Sequence, residues 1–360
     1  MQYYLTHTEA RQTNVIRNMD ALRFLQSLPS DFVDCIVTSP PYFGLRNYGV
    51  SGQMGLEKSP AEYVANMVRL FREARRVLKP EGNFWLNMGD SYSTHKPGVV
   101  DDAFAKSGLS GTKTNQVARD SKMVLDSYRN SALPEKNLLM IPHRLAIALQ
   151  DDGWWVRQDN VWHKPNPMPE SVTDRTTRAH EYVFHLTKSE RYYYNADAIK
   201  EPVKPHSIKR QGRAVSDEHK NAGGAPGQTP HSTFKPRENT NKQDGVGKRQ
   251  YNGFNERYDG QATPMANRRS VWTIPPANYK EAHFATFPER LAEICILAGC
   301  PPGGIVLDMF MGAGTTAVVA IKTGRQYVGS ELNQAYVAIA EKRIRQPLQV
   351  DMFKAALAVV

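Results

Sequence analysis

Ile305-Val306-Leu307-Asp308-Met309-Phe310, continued by Met311-Gly312-Ala313-Gly314-Thr315-Thr316-Ala317, is an apolar run that breaks into glycines and restarts as a helix. The run reads as a buried strand, the glycines as a tight turn, and Thr315 and Thr316 as the helix opening. Tyr327-Val328-Gly329-Ser330-Glu331 follows as the next strand and ends in an acid about 20 residues beyond Gly312. Gly312 to Ala317 fits G-x-G-x-x-A, the fingerprint of a nucleoside-type cofactor site. Glycines let the backbone approach a ligand, and a terminal carboxylate can hold two ribose hydroxyls. The pattern does not choose between a nicotinamide dinucleotide and S-adenosylmethionine. Its place near the C-terminus is unusual for a dinucleotide domain, which begins with this unit.

Upstream, the chain alternates strand and helix signals. Val33-Asp34-Cys35-Ile36-Val37-Thr38 is a β-branched run stopped by Ser39-Pro40-Pro41. Ser59-Pro60-Ala61-Glu62 starts a helix with Ser as N-cap, Pro in the first turn and Glu at the capping-box position. Tyr63, Met67, Leu70, Ala74 and Leu78 continue at helical spacing. Lys79-Pro80-Glu81-Gly82 is expected to end that helix, and 83–88 to form the next strand. Residues 142–150 read as an amphipathic helix, 154–162 and 181–187 as strands. From Phe287 the order is helix, strand, glycine turn, helix, strand. This is the pattern of an α/β fold, a mostly parallel sheet with helices on both faces.

The 360 residues carry 46 Lys and Arg against 36 Asp and Glu, a net charge of +10. At 40% apolar content the chain can bury a core. A mean hydropathy of -0.54 and the lack of an apolar run of about 18 residues exclude a membrane-spanning helix. The first residues lack the order of a signal peptide, so a cytoplasmic protein is expected. Three cysteines, Cys35, Cys295 and Cys300, show no metal spacing and no disulfide framework. The histidines show no ligand spacing either, and no metal is expected.

The charge is concentrated. Residues 200–270 hold 14 Lys and Arg against 7 Asp and Glu, +7 of the +10, together with 8 Gly and 6 Pro. Phe234, Tyr251, Phe254 and Tyr258 are interleaved with that charge, a mix suited to phosphate contact and base stacking. A solvated basic loop is the bland alternative. A second polar insert, about 93–137, reads as a lid, a DNA-facing loop or decoration.

Thr38-Ser39-Pro40-Pro41-Tyr42 carries the chemistry. Two prolines stiffen the chain at the carboxyl end of a strand, where open α/β sheets bind ligands. Such a turn can aim the Ser39 hydroxyl and the Pro40 carbonyl at an exocyclic amino group, with the Tyr42 ring beside the base. The bland alternative is a proline-stiffened turn with a buried Tyr.

Ser39-Pro40-Pro41-Tyr42 resembles motif IV of the S-adenosylmethionine-dependent DNA amino-methyltransferases, and 308–315 resembles their motif I. Catalytic turn first and cofactor turn last, with a recognition region between, resembles the β group, whose motif order is circularly permuted. Residues 18–22, 83–90, 154–164, 180–184 and 283–288 resemble further motifs in the same order. The resemblance implies a Rossmann-like methyltransferase sheet with an inserted target-recognition region. It divides the chain into a catalytic half (1–199), a basic DNA-binding insert (200–270) and a cofactor half (271–360). It implies catalytic roles for Ser39, Pro40, Pro41 and Tyr42. Cofactor contacts are implied for Asp20, Ala21, Thr38, His283, Ala285, Thr286, Phe287, Pro288, Asp308, Phe310, Gly312, Gly314, Thr315, Thr316 and Glu331. Lys209, Arg210, Arg213, Lys248, Arg249, Arg268 and Arg269 are candidates for double-stranded DNA contacts.

The resemblance implies direct methyl transfer to an amino nitrogen of a flipped base, with Ser at the first motif position favouring cytosine N4 over adenine N6. Cys300 precedes Pro301 and Cys35 lies within a strand, so neither is placed as a cytosine C5 nucleophile. A bacterial or phage-encoded enzyme, a monomer or homodimer, is implied; a cognate restriction endonuclease is left open. The competing readings are a nicotinamide-dependent oxidoreductase, a non-catalytic DNA-binding protein and an RNA or protein amino-methyltransferase.

Overall fold

Ser59 caps the longest well-packed helix, accepting the Glu62 backbone N–H at 3.1 Å. Pro60 occupies the first turn, where its missing N–H costs nothing. The Glu62 carboxylate reaches one residue further back than a capping box requires and accepts the Lys58 N–H at 3.0 Å. The helix (α2, Pro60–Val77) buries Tyr63, Met67, Leu70, Phe71, Ala74 and Val77 along one stripe.

The computed structural model describes residues 11–93, 133–202, 265–277 and 287–357. The chain forms two compact units, one of Met1–Ala198 with Arg269–Val360 and one of Ile199–Arg268. The first unit contains β1 (Val15–Asn18), α1 (Ala21–Ser27), β2 (Val33–Thr38), α2, β3 (Leu78–Met88), α3 (Ile141–Asp151), β4 (Trp155–His163) and β5 (His180–Thr187). After the second unit it continues with β8 (Val271–Thr273), α4 (Glu289–Gly299), β9 (Ile305–Asp308), α5 (Thr315–Lys322), β10 (Gln326–Glu331) and α6 (Gln334–Leu357). Within the second unit, β6 (Glu201–Pro202) and β7 (Met265–Ala266) pair antiparallel.

The eight-stranded sheet of the first unit runs β1-β10-β9-β2-β3-β5-β4-β8. The first five strands are parallel, β5 is antiparallel to both its neighbours, and β8 runs parallel to β4. The mostly parallel α/β sheet expected from sequence is therefore present. Strand β3 starts earlier than expected. Leu78 leaves the helix and pairs at once with Val33; the register then jumps so that Cys35 pairs with Asn83. Lys79 to Gly82 are absorbed in that irregularity rather than forming a separate turn.

Alternation along β3 sorts the two faces. Phe84, Leu86 and Met88 join the core under α1, α2 and α3, with Phe84 edge-on to Phe71 at 5.0 Å and 5.1 Å from Trp154. Asn83, Trp85 and Asn87 face the other way. There a Cβ on Gly299 at the end of α4 would meet the Trp85 indole nitrogen at 2.6 Å. All three cysteines are fully buried, and burial raises each thiol, Cys300 to about 12. Among the described residues no helix is long and apolar enough to cross a membrane.

Arg76 near the end of α2 donates to the Leu25 carbonyl at 2.8 Å and the Leu28 carbonyl at 3.0 Å, where α1 ends. The Leu25 carbonyl also takes the Leu28 N–H of the C-cap at 3.1 Å, so the guanidinium adds a second, charge-assisted bond to that terminus. Arg76→Ala is expected to lower the unfolding free energy by about 1–3 kcal/mol. Removing the ion pair of solvent-exposed Arg72 with Asp152 through Arg72→Ala should leave the unfolding midpoint almost unmoved. Urea titration of both variants separates the two cases.

Candidate functional site

The glycine turn after β9 is held from three sides. Gly312 and Gly314 have φ of 53° and 81°, left-handed values that favour glycine. Gly314 also packs against α6, where an added Cβ would lie 2.9 Å from that of Ala340. From α6 the buried Arg343 guanidinium donates to the Ala313 carbonyl at 2.7 Å and the Thr315 hydroxyl at 3.1 Å. The Glu331 carboxylate, at the end of β10, accepts the N–H of Gly312 at 2.9 Å and of Asn333 at 2.8 Å. Burial pushes that carboxyl above its ordinary range.

Beneath the turn lies Asp308. One oxygen accepts the Thr38 hydroxyl at 2.6 Å and the Phe310 N–H at 3.0 Å. The other accepts the Thr316 hydroxyl at 2.6 Å. Asp308, Thr38 and Thr316 are all buried, so these side chains tie β9 to β2 and to α5 from below. Each was expected at the cofactor; the structure commits their polar groups to one another. Asp20 caps α1 by accepting the Arg23 N–H at 3.0 Å, and Ala21 is buried beside it. Asn18 at the end of β1 donates to the Glu331 and Leu332 carbonyls. The carboxyl ends of β1, β10, β9 and β2 thus converge on one edge, the ligand edge of an open α/β sheet.

The Ser39–Tyr42 turn leaves the same edge from β2. Tyr63 of α2 donates to the Pro41 carbonyl at 2.9 Å. The Tyr42 hydroxyl donates to Glu181 Oε2 at 2.7 Å. It accepts from Asn87 Nδ2 at 2.9 Å and from the Ser39 hydroxyl at 3.2 Å. Asn87 Nδ2 also lies 3.0 Å from Glu181 Oε2 and 3.3 Å from Ser39 Oγ. The Tyr42 ring rests on Gly89, where a Cβ would come within 2.6 Å of it. Lys164, directly after β4, pairs with the other Glu181 oxygen and lies 4.4 Å over the Trp162 ring. Burial, then the Glu181 charge, push the Tyr42 phenol well up.

Asn87, Lys164 and Glu181 lie in segments that resemble family motifs, and the structure adds which of their side chains meet. Asn87 shares a face with Asn83 and Trp85 by period-two alternation, and β3/β5 pairing opposes Asn87 to Val183. That places Glu181 one diagonal step from Asn87 across the pair, within side-chain reach.

Other expected residues divide by location. Pro288 caps α4 and is buried, with Phe287 half-buried before it. His283, Ala285 and Thr286 lie outside the described residues, as do Lys209, Arg210, Arg213, Lys248, Arg249 and the insert aromatics. The bulk of the polar insert, 94–132, lies outside them too. Arg268, in the second unit, donates to the Ile199 carbonyl at 2.8 Å. The Arg269 carbonyl accepts the Trp272 indole N–H at 2.8 Å. Among the described residues no cluster of three His, Cys, Asp or Glu could hold a metal.

Burial raises the Asp308 carboxyl from 3.8 to about 6. The folded chain therefore holds this proton more tightly than the unfolded chain. Its stabilising contribution is fully present below about pH 4 and is lost as pH rises through about 6. Asp308→Asn removes the titration, and its amide can donate to the Thr316 hydroxyl. The variant should gain up to roughly 3 kcal/mol on the parent between pH 4 and pH 7, read as a relative shift in thermal melts.

Residues 33–342 match the DNA methylase family designated N6_N4_Mtase. The type II methyltransferase M.SmaI of Serratia marcescens is 39% identical over 329 residues, 90% of this chain and 88% of that one. M.Cfr9I of Citrobacter freundii, another type II methyltransferase, is 40% identical over 327 residues, 91% and 86% of the two chains. Among solved structures, the PvuII DNA methyltransferase (cytosine-N4-specific) superposes with a TM-score of 0.55 at 18% identity, covering 92% of this chain and 86% of its own, a likeness of fold. Two adjacent strands delivering a glycine turn and a Ser-Pro-Pro-Tyr turn to one sheet edge fit that match, and the chain belongs to the DNA methylase family.

Proposed function

We propose that this protein transfers a methyl group from S-adenosylmethionine to the exocyclic amino group of a base flipped out of double-stranded DNA, with cytosine N4 as the target. The observation that carries this reading is the Thr38–Asp308 hydrogen bond of 2.6 Å, which couples the Ser39–Tyr42 turn to the glycine turn. A methyl donor held by one turn then lies next to a base held by the other. Flipping costs a few kcal/mol, which contacts to the extruded base must offset.

The residues fit the cofactor. Gly312 and Gly314 keep side chains away from the turn, and the backbone opens into the N-terminus of α5. Glu331 stands at the end of the neighbouring strand as the ribose-binding acid, and Asp20 and Phe310 lie at the same edge. When bound, S-adenosylmethionine supplies an electrophilic methyl group on a sulfonium. Ser39 and the Pro40 carbonyl accept the two amino N–H bonds, which turns the nitrogen lone pair out of conjugation with the ring. Tyr42 offers its ring edge-locked, since its hydroxyl is tied to Glu181 and Asn87.

Ser at position 39 supports cytosine N4, because a neutral hydroxyl is a weaker acceptor than a carboxylate and suits the cytosine amino geometry. The segment 200–270 is the target-recognition insert between a catalytic half, 1–199, and a cofactor half, 271–360. Its basic residues are phosphate and base contacts. Kinship with type II methyltransferases supports a cognate restriction endonuclease as partner and a place in the cytoplasm.

Ser39→Ala is expected to lower the single-turnover methylation rate by roughly 100-fold while leaving S-adenosylhomocysteine affinity within about twofold. An unchanged rate would overturn the assignment. Mass analysis of nucleosides from methylated DNA should show N4-methylcytosine; N6-methyladenine would correct the base and keep the chemistry. Affinity for DNA should fall steeply with salt. Replacing Lys209, Arg210, Arg213, Lys248 and Arg249 by Gln should flatten the log–log slope by about 0.9 for each phosphate that the insert then leaves unneutralised.

A further inference from the structure

Methylating a neutral amino group leaves the nitrogen with one proton too many. The nitrogen forms its bond to the methyl carbon, the carbon–sulfur bond breaks, and its electron pair stays on sulfur. The product nitrogen then carries a positive charge until an N–H proton departs. Ser39 can accept that proton only if it releases its own.

The turn offers one route. The Ser39 hydroxyl points to Tyr42 Oη at 3.2 Å, and the Tyr42 hydroxyl donates to Glu181 Oε2 at 2.7 Å. Asn87 Nδ2 contacts all three oxygens, at 3.3, 2.9 and 3.0 Å, and an amide can align such a chain without taking a proton itself. Lys164 holds Glu181 Oε1, so the free edge of the carboxylate is the one facing Tyr42. Other nearby acids are engaged elsewhere. Asp90 accepts the N–H groups of Ser91 at 2.9 Å and Ile141 at 3.1 Å through one oxygen, and the hydrogen bonds of Ser39 and Tyr42 run to Glu181 and Asn87 instead; Asp308 is locked under the glycine turn.

We propose that Glu181, on strand β5 and outside the Ser-Pro-Pro-Tyr turn, receives the proton released by amino methylation, relayed from Ser39 through the Tyr42 hydroxyl. The proposal rests on the reading that Ser39 holds the target amino group. The nitrogen proton passes to Ser39 Oγ, the Ser39 proton to Tyr42 Oη, and the Tyr42 proton to Glu181 Oε2. One carboxylate becomes a carboxylic acid as one sulfonium charge disappears. Glu181 acts through Tyr42 and is a positioning residue that never touches the base. The phenol stays protonated at rest, which suits a group that hands on a proton only as it receives one.

The test uses the full chain in excess over sites, unmethylated genomic DNA and tritiated S-adenosylmethionine. Glu181→Gln and Tyr42→Phe should each slow the single-turnover rate by roughly 30- to 100-fold. The double variant should be no slower than either single one, because both remove the same relay. The KM for S-adenosylmethionine should not move, and the solvent deuterium isotope effect of the parent should disappear in Tyr42→Phe. A parental rate in either single variant, or losses that multiply in the double, would overturn the relay. An inactive Ser39→Ala beside a fully active Glu181→Gln would sink the relay alone, whereas a fully active Ser39→Ala would sink the reading beneath it.

Discussion

One buried carboxylate holds the working edge of this sheet together. Asp308 accepts hydrogen bonds from Thr38 on β2, from Thr316 on α5 and from the backbone N–H of its own turn. A single residue thereby sets the spacing of two segments that lie 270 positions apart in the chain. The arrangement costs desolvation, seen in the raised carboxyl, and three donors offset it. Rigid coupling matters because transfer between two bound partners tolerates little misplacement of either. The prolines at 40 and 41 stiffen one side, and the hydrogen bonds of Arg343 and Glu331 stiffen the other.

Strands β9 and β2 are neighbours although most of the chain separates them, which is what brings the two turns to one place. The antiparallel β4–β5 pair then extends the sheet past β3 and delivers Lys164 and Glu181 to the far side of the Ser39 turn. The site is thus built from the ends of β2, β3, β4 and β5 around the Ser39 turn and of β9, β10 and β1 around the glycine turn.

Much of this was legible in the residues. The α2 boundaries followed from Ser59, Pro60 and Glu62, because capping is a local effect with a local signature. The glycine turn and the strand to Glu331 were equally local. The start of β3 was not, because Lys79 to Gly82 resemble a turn and only pairing with Val33 draws Leu78 into the sheet. Thr38, Asp308 and Thr316 were placed at the cofactor by motif, yet burial directs them inward; sequence spacing carries no information on which way a polar side chain points. Glu181 and Asn87 were missed for a related reason. Their partnership depends on the register of two strands almost a hundred residues apart.

The position of Glu181 has an evolutionary consequence. In this chain the negative charge beside the Ser39–Tyr42 turn is supplied from β5, with Lys164 as its counter-ion, while position 39 is neutral. An aspartate at position 39 would bring a second anion onto the same tyrosine and asparagine, where Lys164 already pairs with Glu181. Two carboxylates so placed cannot both remain ionised without cost, and one would retain a proton. Changing the first letter of the tetrapeptide is therefore a coupled change, viable only when the hairpin loses its acid or gains a base. Substitutions in the tetrapeptide and in the hairpin are in this sense tied to one another.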